Sequence, residues 1–402
     1  MKIGIYGGTF DPPHLGHMEA ARAALEQLNL DRLLIIPDCE PPHKDLSAEA
    51  ASPQQRLAMA ALMADGLGPR AEASDLEIRR EGKSYTADTV EQLHEQFPDD
   101  ELWLLMGTDM FLTVQNWYQP ERIFQYAGVA AFARREEDTQ ALFAEQSKYL
   151  EETFHARTTV VDLPKVVEIA SRDLRRMLAS EWTGGNVDPA QYLWTPVYGY
   201  ILQEGLFGTK AELKHLSDKH LRAVSYAMVK AKRLPHIRGT EETAVALARF
   251  WGADPEKARR AAILHDCTKY WELEPQVALC DQAGVPLDPL ERTSPKLLHS
   301  KTGAILARDR FGEPDDVYEA IFCHTTGKPG MTTLDKILYL ADYMEPNRDF
   351  DGVEELRRLV WEDLDQAMVL GLEMSVEDLQ GRGAEVHCNT WGALEELRRV
   401  PR

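Results

Sequence analysis

The sequence is poor in positive charge, in cysteine and in long apolar runs. Its 45 Lys and Arg residues face 66 Asp and Glu residues, giving a net charge of -21, which argues against a broad surface for duplex nucleic acid. The five cysteines show no CxxC spacing, which favours reduced thiols in a cytoplasmic protein. No apolar run approaches the ~20 residues of a membrane span, and the opening MKIGIYGG lacks a signal-peptide pattern. We therefore expect a soluble cytoplasmic protein that binds neither a membrane nor duplex nucleic acid.

The chain has two halves with different sequence patterns. Up to residue 208, short apolar runs alternate with helical segments; the runs are KIGIYGG, RLLIIPD, ELWLLMGTD, GVAAFARR and TTVVDLP. This alternation predicts an α/β domain over 1–208, a Rossmann-like, doubly wound parallel sheet. The second half reads as helical, with long runs such as AELKHLSDKHLRAVSYAMVKAKRL and VEELRRLVWEDLDQAMVLGLEMSVEDL. It predicts an all-α domain over 209–402, with the boundary near EGLFGTKAEL.

The stretch GIYGGTFDPPHLGH joins the first predicted strand to the first predicted helix. It fits neither GxGxxG nor GxxxxGK[ST]. Its backbone N–H groups around Gly7, Gly8 and Thr9 and the following helix N-terminus favour an anion. His14 and His17 are three residues apart and share one face of the first turn. A tight turn that carries two surface histidines is the alternative interpretation.

The longer pattern GGTFDPPHLGH resembles the HxGH nucleotidyltransferase superfamily, and within it the bacterial nicotinate-nucleotide adenylyltransferase family. Further segments support the resemblance in the family's order: IPDCEPPHK, GKSYTADT, LLMGTDMFLTVQNW, VAAFARR and VYGYILQEGLF. The resemblance implies adenylyl transfer from ATP, with Mg²⁺, to nicotinate mononucleotide. The products would be deamido-NAD and pyrophosphate.

The same resemblance implies roles for individual residues. The residues implied for phosphate contacts and catalysis are His14, His17, Lys44 and Arg175. Those implied for ATP binding are Gly7, Gly8, Thr9, Phe10, Gly107, Asp109 and Ser171. Those implied for binding of the nicotinate part are Tyr85, Thr86, Trp117 and Arg134. Two alternatives stay open, because Trp117 suits a core position and Asp109 with Arg134 suits a structural ion pair.

The C-terminal phosphate motif of that family usually reads ISSTxIR, whereas this chain has IASRDLR. Ser171 and Arg175 match the motif. Ala170 and Arg172 replace a serine and a threonine, which removes two hydroxyls and adds a cation. We expect Arg172 to remake part of the phosphate contact.

The helical half contains AAILHDCTKYWE, with His265 beside Asp266. Four more candidate ligands accompany this pair, namely His236, His299, His324 and Asp342. Imidazole and carboxylate are ligands that suit Fe, Mn or Zn. Adjacent residues point to different helix faces, so a metal between helices requires the helix to bend or end at this pair. The alternative treats each histidine singly, as a packed or surface residue.

The order H…HD…H…H…D, with HTTGKPGM and ADYMEPNRDF, resembles the HD phosphohydrolase superfamily. The closer resemblance is to the bacterial HD hydrolases that split diadenosine tetraphosphate symmetrically into two ADP. It implies a metal held by His236, His265, Asp266 and Asp342, with His265 and Asp266 central to catalysis. It places His299 and His324 at a second metal or at the phosphates, and Lys269, Arg348 and Asp349 on the substrate side. Iron is the implied metal, and Mn²⁺ is also compatible with the sequence.

Taken together, the two resemblances predict a bifunctional enzyme. For the front half the alternative is another HxGH enzyme, such as a phosphopantetheine adenylyltransferase or a cytidylyltransferase. For the rear half it is a different HD nucleotide hydrolase, or a module that senses metal or nucleotides without turnover. The sequence leaves open the metal, the preference between nicotinate and nicotinamide mononucleotide, the oligomeric state, and any communication between the two sites.

Overall fold

The computed structural model describes residues 1–42, 49–80, 82–133, 135, 138–164, 166–182 and 188–399. The chain divides into two compact units, Met1–Ala211 and Glu212–Arg402. No helix in the described ranges is long and apolar enough to cross a membrane.

The first unit is built on a six-stranded sheet with the order β3-β2-β1-β4-β5-β6. The strands are β1 Lys2–Gly8, β2 Arg32–Pro37, β3 Ala71–Ala73, β4 Glu101–Gly107, β5 Ala127–Phe132 and β6 Thr158–Val161. Each neighbouring pair is parallel. This order reverses between β1 and β4, and ligands of such sheets bind beyond the carboxyl ends of the strands at that point.

Helices cover both faces of the sheet. They are α1 Leu15–Gln27, α2 Pro53–Leu67, α3 Leu76–Arg80, α4 Thr86–Gln96, α5 Thr108–Phe111, α6 Pro120–Tyr126, α7 Gln140–Phe154, α8 Ser171–Glu181 and α9 Thr195–Glu204. Side chains of a strand alternate between faces, so Leu34 and Ile36 of β2 join one buried cluster while Leu33 and Ile35 join the other. The predicted doubly wound parallel sheet is confirmed.

Among its described residues, the second unit contains helices joined by loops and no strand. Its helices are α10 Asp218–Ala227, α11 Leu234–Trp251, α12 Pro255–Leu264, α13 Leu273–Gln282, α14 Pro295–Asp309, α15 Asp315–Cys323, α16 Thr333–Met344, α17 Val353–Leu359, α18 Leu364–Gly381 and α19 Cys388–Arg399. The predicted all-α class is confirmed. Because α11, α12, α14, α15 and α16 pack around one another, residues far apart in sequence meet at their centre.

Several element predictions differ from the structure. Strand β3 and helix α7 were not predicted. The run 211–234, predicted to be helical, contains α10 but is not helical before Asp218. The run 353–379 is two helices, because the Asp363 side chain accepts hydrogen bonds from the backbone N–H groups of Asp365 and Gln366 and caps the start of α18.

Candidate active sites

The carboxyl end of β1 has open space over Gly7. Gly7 is exposed, and a Cβ placed on it would meet no atom within 4 Å. At Gly8 a Cβ would meet the Phe10 ring at 3.3 Å. Phe10 itself is buried beneath the loop, so the side of the loop that a ligand can reach is made by the backbone around Gly7–Thr9.

The two histidines of the loop are in contact. His14 occupies the N-cap position of α1, and its ring centroid lies 3.7 Å from that of His17. The His14 backbone N–H donates to Nδ1 of His17 over 3.1 Å. A ring nitrogen that accepts a hydrogen bond carries no proton, so the proton of a neutral His17 ring is on Nε2. His17 therefore has a hydrogen-bond donor at its Nε2 atom.

Gly16 sets the position of the His14 ring. A Cβ on Gly16 would lie 3.0 Å from Nδ1 of His14 and 3.1 Å from the carbonyl oxygen of Val167. Any side chain would push the ring or the 166–170 segment away. The glycine between the two histidines therefore allows the close packing of the His14 ring against the 166–170 segment.

The start of α8 is bound to the opening loop. The Ser171 hydroxyl donates to the carbonyl oxygen of Pro12 at 3.1 Å, and Arg175 donates to that of Asp11 at 2.6 Å. Arg175 also lies 3.2 Å from the Asp11 carboxylate. These contacts bring Ser171 and Arg175 to the loop, as the sequence predicted. Arg172 instead is exposed, 3.9 Å from Asp173, and the expected contribution of Arg172 stays a prediction.

Sequence reasoning missed a buried arginine that holds this region together. Arg56 of α2 is 0% exposed and forms a 2.7 Å ion pair with Asp38, directly after β2. It also donates to the carbonyl oxygens of Thr9 (3.0 Å) and Cys39 (3.0 Å), and the Thr9 hydroxyl donates to Asp38 at 2.8 Å. The sequence signal for this ion pair was an arginine among the apolar positions of PQQRLAMAAL. An arginine at such a position is fully buried only if its charge is paired.

Of the residues predicted for the nicotinate side, Tyr85, Thr86 and Trp117 lie within the described part of the first unit. Tyr85 precedes α4 as its N-cap and Thr86 begins the helix. The Tyr85 ring lies 4.4 Å from that of Tyr118, at an angle of 36°, and Tyr118 follows Trp117. Trp117 is partly buried and packs on the core of the sheet, so both earlier interpretations of it stay open.

Two further predicted residues follow β4, the strand beside β1. Gly107 is the N-cap of α5, and Asp109 is exposed within that short helix. Lys44 and Arg134 lie outside the described residues. Their predicted roles, and the alternative ion pair between Asp109 and Arg134, therefore stay predictions.

In the second unit, α12 ends at the His265–Asp266 pair, which is one of the two arrangements, a bend or an end of the helix, that the sequence predicted. Its last residue is Leu264, His265 is the C-cap, and the next residues form turns. This allows His265 and Asp266 to point to the same centre, although they are adjacent in sequence. Both are 0% exposed.

Two overlapping groups of side chains converge at this centre. In the first, Nε2 of His236 lies 3.3 Å from Nε2 of His265 and 3.0 Å from Oδ1 of Asp342. His265 and Asp342 are 3.8 Å apart. The three ligand atoms lie within 4.8 Å of one another, close enough to share one ion.

The second group is built around Asp266, whose two carboxylate oxygens face different histidines. Oδ2 of Asp266 is 3.4 Å from Nε2 of His265, whereas Oδ1 is 3.1 Å from Nε2 of His299 and 4.0 Å from Nε2 of His324. The two latter rings approach to 3.2 Å between their Nε2 atoms. All six predicted ligands are therefore brought together, with Asp266 between the two groups.

In each of the four histidines, Nδ1 is the ring nitrogen that lies away from the centre, and a hydrogen-bond partner holds it in place. Nδ1 lies 2.7 Å from a backbone carbonyl oxygen in three of them: His265 to Ala262, His299 to Lys296 and His324 to Ile321. In the fourth, Nδ1 of His236 is 3.1 Å from the buried carboxylate of Glu345. A carbonyl accepts, so Nδ1 carries the proton and Nε2 keeps a lone pair directed at the centre.

Burial and neighbouring charges reinforce this arrangement. Burial lowers the pKa values of His299 and His324 below their ordinary range, so both rings stay neutral. Burial opposes ionisation of Asp342, but the close contact with Nε2 of His236 and the nearby His265 hold the pKa of this carboxyl well below its usual value. Neutral imidazoles and ionised carboxylates are the states that bind metal.

These six groups fit a divalent first-row metal. They are buried electron-pair donors of nitrogen and oxygen type, the set that suits Fe, Mn or Zn. Carbonyl and carboxylate partners orient the rings, as is usual at metal centres. The chemistry of its donors makes this cluster a candidate metal site.

Basic side chains surround the cluster. Arg233 lies 2.5 Å from Oδ2 of Asp266, Nζ of Lys269 lies 3.0 Å from Nε2 of His299, and Arg348 donates to Oδ1 of Asp342 at 2.9 Å. Lys269 and Arg348 were predicted, whereas Arg233 was missed. Asp349 is exposed beside Arg348.

A third group, Asp288, His387 and Cys388, has a different character. Nε2 of His387 lies 2.9 Å from Asp288 and 3.2 Å from the buried carboxylate of Glu291. Its Nδ1 accepts from the backbone N–H of Asn389 at 3.1 Å. The proton is therefore on Nε2, the reverse of the four ligand histidines, and the ring donates to carboxylates.

This ion-paired histidine attaches α19 to the unit. His387 precedes the helix, and Thr390 in its first turn donates to the carbonyl oxygen of Thr326 at 2.8 Å. Thr326 lies two residues after His324. The contacts of α19 therefore support the loop that follows one of the candidate ligands.

We expect the attachment of α19 to weaken as the pH rises from 6 to 8. The hydrogen bond to Glu291 raises the pKa of His387 above its ordinary value, so its stabilisation is complete below pH about 6.5 and is lost as the pH passes the raised value. Burial opposes ionisation of Glu291, but hydrogen bonds from His387 and Lys301 lower its pKa to about 2, so Glu291 stays charged. Amide hydrogen exchange across α19, corrected for its intrinsic pH dependence, should accelerate over this interval.

The matched variant for this prediction is His387→Gln, which keeps a hydrogen-bonding side chain and cannot titrate. Its corrected exchange rate should be flat between pH 6 and 8. An equal acceleration in the variant would contradict the role of His387.

Comparison with known proteins assigns both units. The Cytidylyltransferase-like family matches residues 5–177 and the HD domain family matches residues 233–347. A "Probable nicotinate-nucleotide adenylyltransferase" of Neisseria meningitidis is 34% identical over 206 residues, 51% of this chain and 98% of that protein. The "Bis(5'-nucleosyl)-tetraphosphatase, symmetrical" of Bacillus subtilis is 39% identical over 160 residues, 40% of this chain and 86% of that protein.

A crystal structure of a "predicted HD superfamily hydrolase involved in NAD metabolism" from Clostridium acetobutylicum is 36% identical, with a TM-score of 0.45, and covers 46% of this chain and 99% of that one. The family matches and the two curated relatives decide the assignment. The chain belongs to the nicotinate-nucleotide adenylyltransferases of the cytidylyltransferase-like family through its first part, and to the HD domain family through its second.

Proposed function

We propose that the chain is a bifunctional enzyme. Residues 1–208 would transfer the adenylyl group of ATP to nicotinate mononucleotide, giving deamido-NAD and pyrophosphate. Residues 209–402 would hydrolyse diadenosine tetraphosphate symmetrically to two ADP. We also propose a cytoplasmic location, in keeping with five cysteines that are all free thiols.

For the front half, the observation that carries the proposal is the contact of His14 and His17 in the loop that follows the carboxyl end of β1. A phosphate oxygen of nicotinate mononucleotide would attack the α-phosphorus of ATP in line, and the bond to pyrophosphate would break. The protein needs no nucleophile of its own, because positioning and charge stabilisation suffice. Mg²⁺ is proposed to arrive with the ATP phosphates.

The chain's own groups would supply that stabilisation. The Nε2–H of His17 and the loop N–H groups of Gly7–Thr9 are donors for the phosphate oxygens. Arg175 is partly neutralised by Asp11, so we assign it to holding α8 on the loop as well as to attracting phosphate. Lys44 keeps its proposed phosphate role from the sequence pattern alone.

The nicotinate ring is proposed to stack on Trp117, near the pair formed by Tyr85 and Tyr118. The backbone of Tyr85 and Thr86 at the start of α4 would face the pyridine carboxylate, which is an anion suited to a helix N-terminus. This preference for a carboxylate is our reason to favour nicotinate over nicotinamide. Gly107, Asp109 and Ser171 keep their proposed ATP contacts.

For the rear half, the observation that carries the proposal is the convergence of four Nε2 atoms on Asp266 and Asp342. We propose that His236, His265, Asp266 and Asp342 hold a first metal ion, iron or manganese, and that His299 and His324 hold a second ion or the phosphates. Bound metals of this kind lower the pKa of water and neutralise phosphoryl charge. Lys269, Arg233 and Arg348 add positive charge for the tetraphosphate chain. Asp349 keeps its proposed place on the substrate side, beside Arg348.

The test uses the full-length chain and a panel of substrates. ATP with nicotinate mononucleotide should give deamido-NAD, and nicotinamide mononucleotide should react more slowly. With Fe²⁺ or Mn²⁺, diadenosine tetraphosphate should give ADP as the sole nucleotide product. Chromatography of the products identifies both reactions.

The panel also contains the alternatives. The assignment of the front half would be overturned if phosphopantetheine reacted with ATP and nicotinate mononucleotide did not, or if CTP served as the nucleotide donor in place of ATP. Release of AMP with ATP, preference for deoxynucleotides or cyclic dinucleotides, or metal binding without any turnover would overturn the rear one.

A further inference from the structure

A cleft of ≈ 490 Å³ lies beside the metal-ligand cluster in the second unit. Its lining residues are Tyr343 of α16, then Arg348, Phe350 and Asp351 in the following loop, and Met374, Glu377 and Asp378 of α18. Its volume falls within the range of about 300–1,000 Å³ that is typical of small-molecule sites. Of its lining residues, only Arg348 has a role in the hydrolysis proposed above.

Arg348 connects this cleft with the ligand cluster. Its guanidinium lines the cleft, while its Nε donates to the backbone oxygen of Asp342 at 3.0 Å and its Nη2 to Oδ1 of Asp342 at 2.9 Å. Tyr343 follows Asp342 directly on α16. A ligand in the cleft would therefore reach the candidate metal ligands by passing Arg348.

One wall of the cleft is aromatic. The ring centroids of Tyr343 and Phe350 are 5.1 Å apart at 58°, and both side chains are only partly buried. Exposed aromatic faces stack on nucleobases. Tyr343 is supported from behind by Tyr339, whose ring stacks on it at 6.1 Å, so the wall is preformed.

The part of the cleft that α18 lines is acidic, and Asp351 adds a further carboxylate from the loop. Glu377 is exposed and has no ion pair among the described residues, whereas its neighbour Asp378 pairs with Arg382. A free carboxylate accepts hydrogen bonds from ribose hydroxyls, as it does in dinucleotide sites. It repels phosphate, so a nucleotide would be oriented with its ribose toward Glu377 and its phosphates toward Arg348.

We propose that this cleft binds a ribonucleoside end of the substrate. The base would stack on Tyr343 and Phe350, the ribose hydroxyls would donate to Glu377, and the phosphates would run past Arg348 to the cluster of histidines and aspartates. The proposal rests on the proposed hydrolysis for its substrate, an adenosine dinucleotide. It also predicts that the second unit prefers a substrate with ribose over one with 2′-deoxyribose.

The first test is kinetic and uses the full-length chain with Mn²⁺. Glu377→Ala and Phe350→Leu should each raise KM for diadenosine tetraphosphate about tenfold, the size expected for one stacking contact or one charged hydrogen bond. The kcat should change less than about twofold, since neither residue touches the metal ligands. Glu385→Ala, an exposed carboxylate outside the cleft, is the matched control and should leave KM unchanged.

The sugar provides a sharper measurement. The 2′-deoxy analogue of the dinucleotide should be hydrolysed with a lower kcat/KM by the native chain, and Glu377→Ala should remove most of this difference. An unchanged KM in both variants, or an undiminished preference for ribose in Glu377→Ala, would overturn the proposal.

A second measurement does not depend on hydrolysis. The photoreactive probe 8-azido-ADP, mapped by peptide mass spectrometry on the full-length chain, should label the peptides that contain Tyr343 and Phe350. If the native chain does not cleave the dinucleotide but these peptides are labelled, the proposed function fails and the nucleoside site stands. If cleavage occurs and no label is found on them, the site fails and the function stands.

Discussion

Replacing His17 with alanine is expected to lower kcat for adenylyl transfer by about 10²–10³-fold, the loss typical of one preorganised donor at a developing charge. The donor is Nε2–H, because Nδ1 of His17 accepts from the backbone N–H of His14 over 3.1 Å. Charge builds on the leaving pyrophosphate only in the transition state, so KM for ATP should change far less than kcat. Steady-state kinetics with ATP and nicotinate mononucleotide gives both constants.

The second unit provides an internal control for this variant. His17→Ala should hydrolyse diadenosine tetraphosphate at the native rate, which shows that the chain is folded and correctly quantified. His94→Ala, a histidine on α4 stacked on Tyr126, is the matched substitution within the first unit and should retain adenylyl transfer. Near-native adenylyl transfer by His17→Ala would contradict the proposed role of His17 and favour the alternative interpretation, in which the opening loop is a tight turn that carries two histidines.

The sequence allowed prediction of elements whose pattern is local and strong. The run KIGIYGG, with glycine at its end and a helical pattern after it, predicted β1, the loop and α1. Strand β3 was missed because Ala71–Ala73 is three residues long and at the sheet edge, where there is no apolar pattern to detect. Helix α7 was missed because QALFAEQSKYLEETF mixes a narrow apolar stripe with many polar residues.

The site was predictable where one residue type carries the chemistry. Histidines beside apolar runs indicated the metal cluster, and the requirement for a helix end at His265 followed from their spacing. Their supporting partners were not predictable, because these lie far away in sequence: Arg233 is 33 residues from Asp266 and Glu345 is 109 residues from His236. Only the packing of α11 against α16 brings the latter pair together.

Replacing His265 with alanine is expected to abolish both metal binding and dinucleotide hydrolysis. His265 is fully buried, and its Nε2 lies 3.3 Å from that of His236 and 3.4 Å from Asp266, so it belongs to both groups of ligands. Loss of an outer partner alone typically costs about 10–100-fold in metal affinity, and loss of the ligand itself should cost more. Metal per chain, measured after gel filtration of protein loaded with Mn²⁺ or Fe²⁺, should fall well below that of the native chain.

Two comparisons separate this ligand role from a merely structural one. His387→Gln removes another buried histidine of the same unit, but one whose Nε2 donates to carboxylates, and it should keep its metal. His265→Ala should still make deamido-NAD at the native rate, because the first unit contains all residues proposed for that reaction. Full metal content together with full hydrolysis in His265→Ala would refute the proposed centre. Full metal content without hydrolysis would instead place the metal on the remaining ligands and leave His265 a direct role in the reaction.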